Sequence, residues 1–400
     1  MTATQRRTSR RTQRTSARVR HPTARVAPDG RGPRRPVGRR TNVFLVLFFA
    51  TTALVTLGVI MVLSASAATS INDTNSAWSL FRRQIIWTSL GMIVMLVVMR
   101  IDYRFWRPLA RLAVVVSLIL LTVVLLPGIG TKINGARRWI DFGPVSFQPS
   151  EFAKLGLIFF VAEILSRPTR SMNNSKSTLR PVISVTIAMV ILLMIEPHLG
   201  VTLIVLAIAA SMLFMAGASI RHMVGLGAAV AAIGMVGIKA SPWRSARLLV
   251  FLHPGTDPDG AGYQPLQSLH AITSGGLDGV GLGASRAKWG FLPYAHTDFI
   301  FAILAEELGL IGATFVIGFF ALIGVAGFMA ALRAPDRFGM LLAVGITSWI
   351  VFQAVLNIGA VMAVLPVTGV TLPFMSFGGS SIVMSMAAMG VLLNVARQGH

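Results

Sequence analysis

The segment Ala295-His296-Thr297-Asp298-Phe299-Ile300-Phe301-Ala302 opens an apolar run that continues to residue 331 and contains only two acids, Glu306 and Glu307. The run exceeds the ~20 residues of a perpendicular membrane helix. It therefore predicts a steep tilt or a half-helix, with the irregularity near Glu306, Glu307 and Gly309. Asp298 stands at its mouth. An ionisable group at a membrane boundary is costly unless a cavity or partner supports it, so it marks a candidate functional site.

Composition extends this reading to the whole chain. Of the 400 residues 54% are hydrophobic and 12% charged, and mean hydropathy is +0.71. A single soluble core is excluded. Ten apolar spans are expected near 43–66, 84–101, 109–127, 152–166, 181–196, 199–216, 222–239, 299–331, 339–365 and 377–396. The fold class is thus all-α, a polytopic integral membrane protein of ten transmembrane helices. A large extracytoplasmic loop, 240–298, separates helices 7 and 8, and the membrane domain runs from 43 to 397. No cysteine is present, which excludes a disulfide framework and thiolate-ligated metal.

The net charge of +22 is concentrated in residues 1–42, where thirteen arginines face the single acid Asp29. Such a segment cannot bury enough apolar surface to fold and is expected to be a disordered cytoplasmic tail. Attraction to anionic membrane lipid is its default reading, and docking of cytoplasmic proteins is the alternative. Nucleic-acid binding lacks any supporting motif. With the tail inside, the loops 102–108, 167–180, 217–221 and 332–338 carry the denser cations, consistent with the positive-inside rule. Both termini then lie in the cytoplasm. Three polar segments fall on the outer side: 128–151, 240–298 and 366–380.

Those segments hold the candidate chemistry. Glu151 and Lys154, at i and i+3, share a helix face. They are either a charged cavity wall or an interfacial pair with Lys154 snorkelling outward, and Ser150 is a candidate cap. Arg138, with Arg137, either contacts lipid headgroups or binds a substrate phosphate bidentately. The run 275–290 is glycine-rich, and Ser285, Arg286 and Lys288 could cradle a pyrophosphate with backbone N–H groups. It is not a P-loop, and a flexible outer loop is the plainer reading. Asp298 is either a helix N-cap or a catalytic base, with His296 and Thr297 placed to tune it. The seven histidines are scattered and form no metal-ligand spacing.

Several motifs together resemble the SEDS family (FtsW, RodA and SpoVE). They are Asn134-Gly135-Ala136-Arg137-Arg138-Trp139-Ile140, Gln148-Pro149-Ser150-Glu151-Phe152-Ala153-Lys154, Gly279-Val280-Gly281-Leu282-Gly283-Ala284-Ser285, the stretch from Leu292-Pro293 to Glu307-Leu308-Gly309, and that from Leu372-Pro373-Phe374 to Gly378-Gly379-Ser380-Ser381. Ala295 before His296-Thr297-Asp298, the run Gly283 to Lys288, and Thr371 before Leu372 are more similar to the division type than to the elongation type. The resemblance implies a ten-helix peptidoglycan glycosyltransferase that polymerises lipid II during septal wall synthesis. Asp298 falls on the family's essential aspartate, and Glu151 and Lys154 on its cavity pair. Substrate contacts are then expected from Arg138, Ser285, Lys288, His296, Thr297, Ser376, Gly378, Gly379 and Ser380.

The implied partners are a class B penicillin-binding transpeptidase and other division proteins, for which the Arg-rich tail is a candidate docking arm, and Mg²⁺ or Mn²⁺ is a candidate cofactor. Two departures stand out: His198 where an aspartate is common, and Tyr294 before Ala295. A lipid II flippase, an elongation-type polymerase and a recruiting scaffold are the competing functions.

Overall fold

The computed structural model describes residues 41–399 apart from 75, 77, 134, 144, 168–174, 240, 241 and 254–256. The expected tail therefore lies almost wholly outside the described residues. The helices are α1 (Asn42–Thr74), α2 (Ser79–Val98), α3 (Trp106–Val123), α4 (Pro149–Leu165), α5 (Ser175–Ile195), α6 (Leu199–Met215), α7 (Ile220–Lys239), α8 (Pro242–Leu252), α9 (Tyr263–Gly275), α10 (Ile300–Leu332), α11 (Arg337–Val361) and α12 (Gly379–Gln398). Every expected apolar run coincides with one of them. Among the described residues seven helices are long and apolar enough to cross a membrane, and α6 is a shorter apolar helix. The chain is an integral membrane protein.

One expectation about the polar segments needs correction. The fold is not purely helical, because a three-stranded antiparallel sheet forms from β1 (Gly130–Ile133), β2 (Ala136–Phe142) and β3 (Val145–Phe147). The turn between β1 and β2 carries Gly135 at φ 80°. Asn-Gly between two β-prone runs is a strong hairpin signal, since both turn positions need positive φ. Segment 240–298 carries α8 and α9.

At one end of the bundle the expected inner loops meet. Arg104 pairs with Asp336 at 2.9 Å, Arg337 donates to the Ala216 carbonyl at 3.3 Å, and the Tyr103 amide donates to Asn394 at 2.9 Å. Thr41 Oγ1 donates to the Ala396 carbonyl at 2.9 Å, so residue 41 shares that end with the last turn of α12.

The interruption expected in the long run is present. Gly309 has φ 65° and ψ −165° inside α10, a region open essentially to glycine alone. The break frees backbone groups that hydrocarbon cannot satisfy. Residues 276–281 supply the partners. Val280 and Gly281 amides donate to the Glu306 and Glu307 carbonyls, each at 3.0 Å, and the Leu310 amide donates to the Gly276 carbonyl at 3.0 Å. The fit is close, for a Cβ on Gly309 would come within 2.3 Å of the Leu277 carbonyl oxygen. The glycine-rich run is thus backbone filling for a broken helix.

The centre of the bundle is α4, where every residue except Phe152 is buried. Lys154 does not snorkel outward. It has no exposed surface, and its ammonium donates to Glu151 Oε1 at 2.8 Å and to Gln353 Oε1 on α11 at 2.7 Å. It also lies 4.6 Å from the centre of the Trp349 ring, a favourable cation–π placement. Ser150 is no cap either, since Gln148 occupies the N-cap.

These features predict two stability losses, both measurable by thermal unfolding of detergent-solubilised protein. Gly309→Ala forces a side chain into a glycine-only conformation and should cost ~1–3 kcal/mol or more. Lys154→Met leaves the Glu151 carboxylate buried and unpaired and should cost about 3–5 kcal/mol. A double change with Glu151→Gln should recover part of that loss. Wild-type melting of either single variant would contradict the packing described.

Candidate active site

The segments around β1–β3, α5–α6, α8 and 366–380 converge on Asp298. The chain approaches it through a turn at Tyr294, held at φ 60°, whose carbonyl accepts from the Thr297 and Phe299 amides at 3.1 and 3.3 Å. The N-cap of α10 is Phe299, without a side-chain bond. The carboxylate of Asp298 is therefore not spent on capping. Its backbone carbonyl accepts from Asn357 Nδ2 at 2.7 Å, and the same amide group donates to the Val370 carbonyl at 2.7 Å. A Cβ placed on Gly369 would lie 3.7 Å from Asp298 Oδ2, so the 366–380 segment runs directly past the carboxylate.

The electrostatics of Asp298 are set by burial opposed by two cations. Desolvation raises its pKa to about 6, while Arg247 and then Arg138 pull it down. Arg247, on α8, is itself lowered to about 10 by burial, with Asp298 opposing that fall. Its guanidinium donates to the Val367 carbonyl at 3.0 Å. It also lines a mainly apolar groove with Val250, Phe251, Leu266, Leu269 and Leu365. A carboxylate with a pKa of about 6, beside fixed positive charge, is suited to general-base work near neutral pH.

A hydrogen-bond chain ties the backbone beside Asp298 to the bundle core. Gln353, which receives Lys154, donates to the Thr371 carbonyl at 2.9 Å and accepts from Trp349 Nε1 at 2.7 Å. Ser376 Oγ donates to the Thr297 carbonyl at 2.6 Å and accepts from the Leu372 amide at 2.8 Å. The Phe377 amide donates to the His296 carbonyl at 2.9 Å. Ser380 Oγ donates to the Ser146 carbonyl at 3.0 Å and accepts from the Gln148 amide at 3.2 Å, joining α12 to β3. Gly379 leaves room for Trp87, whose ring a Cβ there would meet at 2.6 Å.

Of the expected site residues, Asp298, Arg138, Glu151 and Lys154 belong to this connected region. His296, Thr297, Ser376, Gly379 and Ser380 serve as its internal scaffold, and Gly378 is the N-cap of α12. Ser285 and Lys288 have different company. Ser285 Oγ donates to Glu306 at 2.5 Å. Lys288 donates to Glu307 at 3.2 Å, to Ser64 Oγ on α1 at 3.0 Å and to the Gly283 carbonyl at 2.6 Å. They brace the α10 break.

Sequence reading passed over Arg247, Gln353 and Asn357. The latter two are lone amides four residues apart in an apolar span, a signal of a functional face in a membrane helix. Arg247 offered no such signal, because only α8 brings it to Asp298. Among the described residues no group of three or more histidines or carboxylates is placed to hold a metal, and the charged groups acting on Asp298 are cations.

Comparison with known proteins agrees with this architecture. A family model described as "Cell cycle protein", covering FtsW, RodA and SpoVE, matches residues 45–400. Stage V sporulation protein E of Bacillus subtilis (strain 168) is 42% identical over 360 residues, covering 90% of this chain and 98% of that protein. A protein of Trichlorobacter lovleyi named probable peptidoglycan glycosyltransferase FtsW is 38% identical over 352 residues, covering 88% and 92%. A solved structure titled "Structural coordination of polymerization and crosslinking by a peptidoglycan synthase complex" aligns with a TM-score of 0.71 at 32% identity, covering 88% of this chain and 96% of that one. Thermus thermophilus rod shape determining protein RodA aligns with a TM-score of 0.64 at 31% identity, covering 88% and 96%. The chain belongs to the FtsW/RodA/SpoVE family.

Proposed function

We propose that this protein is a peptidoglycan glycosyltransferase that polymerises lipid II, with Asp298 as general base. The observation that carries the reading is a desolvated carboxylate, raised to about 6, flanked by Arg247 and Arg138 beside an apolar groove. The family and the names of its relatives support the same activity. In this reading all ten apolar helices cross the membrane, both termini are cytoplasmic, and the Asp298 end faces outward.

Asp298 accepts the proton of the GlcNAc 4-hydroxyl on one substrate. That oxygen forms a bond to the anomeric carbon of the other substrate's MurNAc, the bond to the pyrophosphate oxygen breaks, and undecaprenyl pyrophosphate leaves with inversion. The leaving group carries its own negative charge away, so the site's task is charge stabilisation, supplied by Arg138 and Arg247. Fixing two lipid-anchored sugars in one groove removes the translational cost of a bimolecular step. A divalent cation here would rest on one carboxylate and the substrates' phosphates, a common pattern for Mg²⁺, and no step of the reaction runs through it. In this proposal the role is in division at the septum, in partnership with a class B penicillin-binding transpeptidase, with the family description as a cell cycle protein in support, and the Arg-rich tail lies against anionic lipid.

Asp298→Asn should lower glycan synthesis by ~10²–10⁴-fold while the protein inserts and melts as wild type. Full polymerisation by that variant would refute the assignment. The sign of the pH dependence follows from the raised pKa. The carboxyl holds its proton below about 6 and is an acceptor only above it. The rate at saturating lipid II should therefore fall as pH drops through about 6 and level off above 7. A profile flat down to pH 5 would show that a different group takes the proton.

A further inference from the structure

Between α5 and α6 the chain makes a tight turn, Glu196-Pro197-His198, which the reaction above does not use. Glu196 is 1% exposed and His198 3% exposed. Both carboxyl oxygens of Glu196 and the Nδ1 atom of His198 are buried without a hydrogen-bond partner. Arg138 staples the turn through its backbone, donating from Nε to the Glu196 carbonyl at 3.1 Å and from Nη2 to the Pro197 carbonyl. The turn also adjoins Asp298's surroundings. A Cβ on Gly200 would come within 2.1 Å of Val370 and 2.9 Å of Thr368, the residues flanking the Gly369 that runs past Asp298. Arg138 acts electrostatically on both Glu196 and Asp298.

The protonation states follow from those surroundings. An ionised carboxylate buried without any hydrogen bond is prohibitively costly, so Glu196 holds its proton. Burial drives its pKa up to about 8 against the pull of Arg138. His198 Nε2 lies 3.0 Å from Gln148 Nε2. With the Gln148 amide donating, the imidazole carries its hydrogen on Nδ1. Burial, then Arg138 and Lys154, hold His198 neutral. The turn thus presents an O–H and an N–H donor, both unmatched, beside a guanidinium. Unmatched buried donors are expensive to leave unmade and imply an acceptor-rich ligand.

Resting on the glycosyltransferase reading, we propose that Glu196 and His198, together with Arg138, form the wall that binds the pyrophosphate of a prenyl-linked sugar substrate. The neutral acid and the neutral imidazole donate to its oxygens. An aspartate at position 198 could not donate in this way while ionised, so this chain's histidine changes how the wall recognises an anion.

The test measures binding, on an Asp298→Asn background that removes turnover, with full-length protein in detergent and a short-chain prenyl pyrophosphate as probe. Glu196→Met and His198→Phe should each weaken binding by about tenfold, the loss of a buried donor to a charged acceptor. Glu196→Gln keeps a neutral donor and should stay within about threefold of the parent. Unchanged binding by Glu196→Met would overturn the proposal, and so would a Glu196→Gln variant as weak as Glu196→Met. If Glu196→Met does not accumulate, His198→Phe decides by the same criterion. Phosphatidylglycerol that displaces the probe as well as prenyl pyrophosphate itself would also overturn it, by showing a general headgroup site. Because binding is read without turnover, these results stand apart from the fate of the general-base assignment.

Discussion

A lysine with no exposed surface is held between a glutamate on its own helix and a glutamine on another. Lys154 could not remain charged in the middle of an apolar bundle without Glu151 and Gln353, and the position of Gln353 in turn fixes the backbone of Thr371. From Thr371 the chain runs on to Ser376 and Phe377, which hold Thr297 and His296. Asp298 is therefore oriented from behind by an ion pair that makes no hydrogen bond to it among the described residues. Such an arrangement preorganises a site on rigid elements while leaving the Asp298 carboxylate unused by the scaffold.

A second network braces the helix that follows Asp298. The α10 break at Gly309 shortens the helix behind the aspartate, and its freed backbone groups are met by 276–281. Ser285, Lys288, Glu306, Glu307 and Ser64 lock that junction to α1. Polar groups buried at membrane depth are costly when unpaired, which accounts for the density of bonds here. The site thus rests on two polar clusters, one in α4 and α11 and one at the break.

The helices were legible because hydropathy over twenty residues is a strong, additive signal; all ten apolar runs became helices. The half-helix at Gly309 was legible from excess length. The sheet at 130–147 was not anticipated, although Asn134-Gly135 carried the hairpin signal; a membrane composition argued for helices throughout and overrode it. Lys154 was ambiguous, because i and i+3 spacing gives a shared face and not the direction in which that face points. The bracing role of Ser285 and Lys288 was not legible, because a glycine-rich run in an outer segment reads as a flexible loop or a phosphate cradle, while the backbone demand it meets is made by the broken helix. Arg247 was invisible as a site residue, since only the folding of α8 against 363–367 brings it to Asp298.

The central claim is that the bundle itself forms the glycosidic bond. The most direct measurement gives purified protein labelled lipid II in detergent micelles, where no membrane separates two compartments, with and without a class B transpeptidase. Glycan strands of many disaccharides formed by the protein preparation are the predicted result. Lipid II left unpolymerised under both conditions, with translocation of the lipid once the protein is returned to vesicles, would contradict the account and identify a transporter.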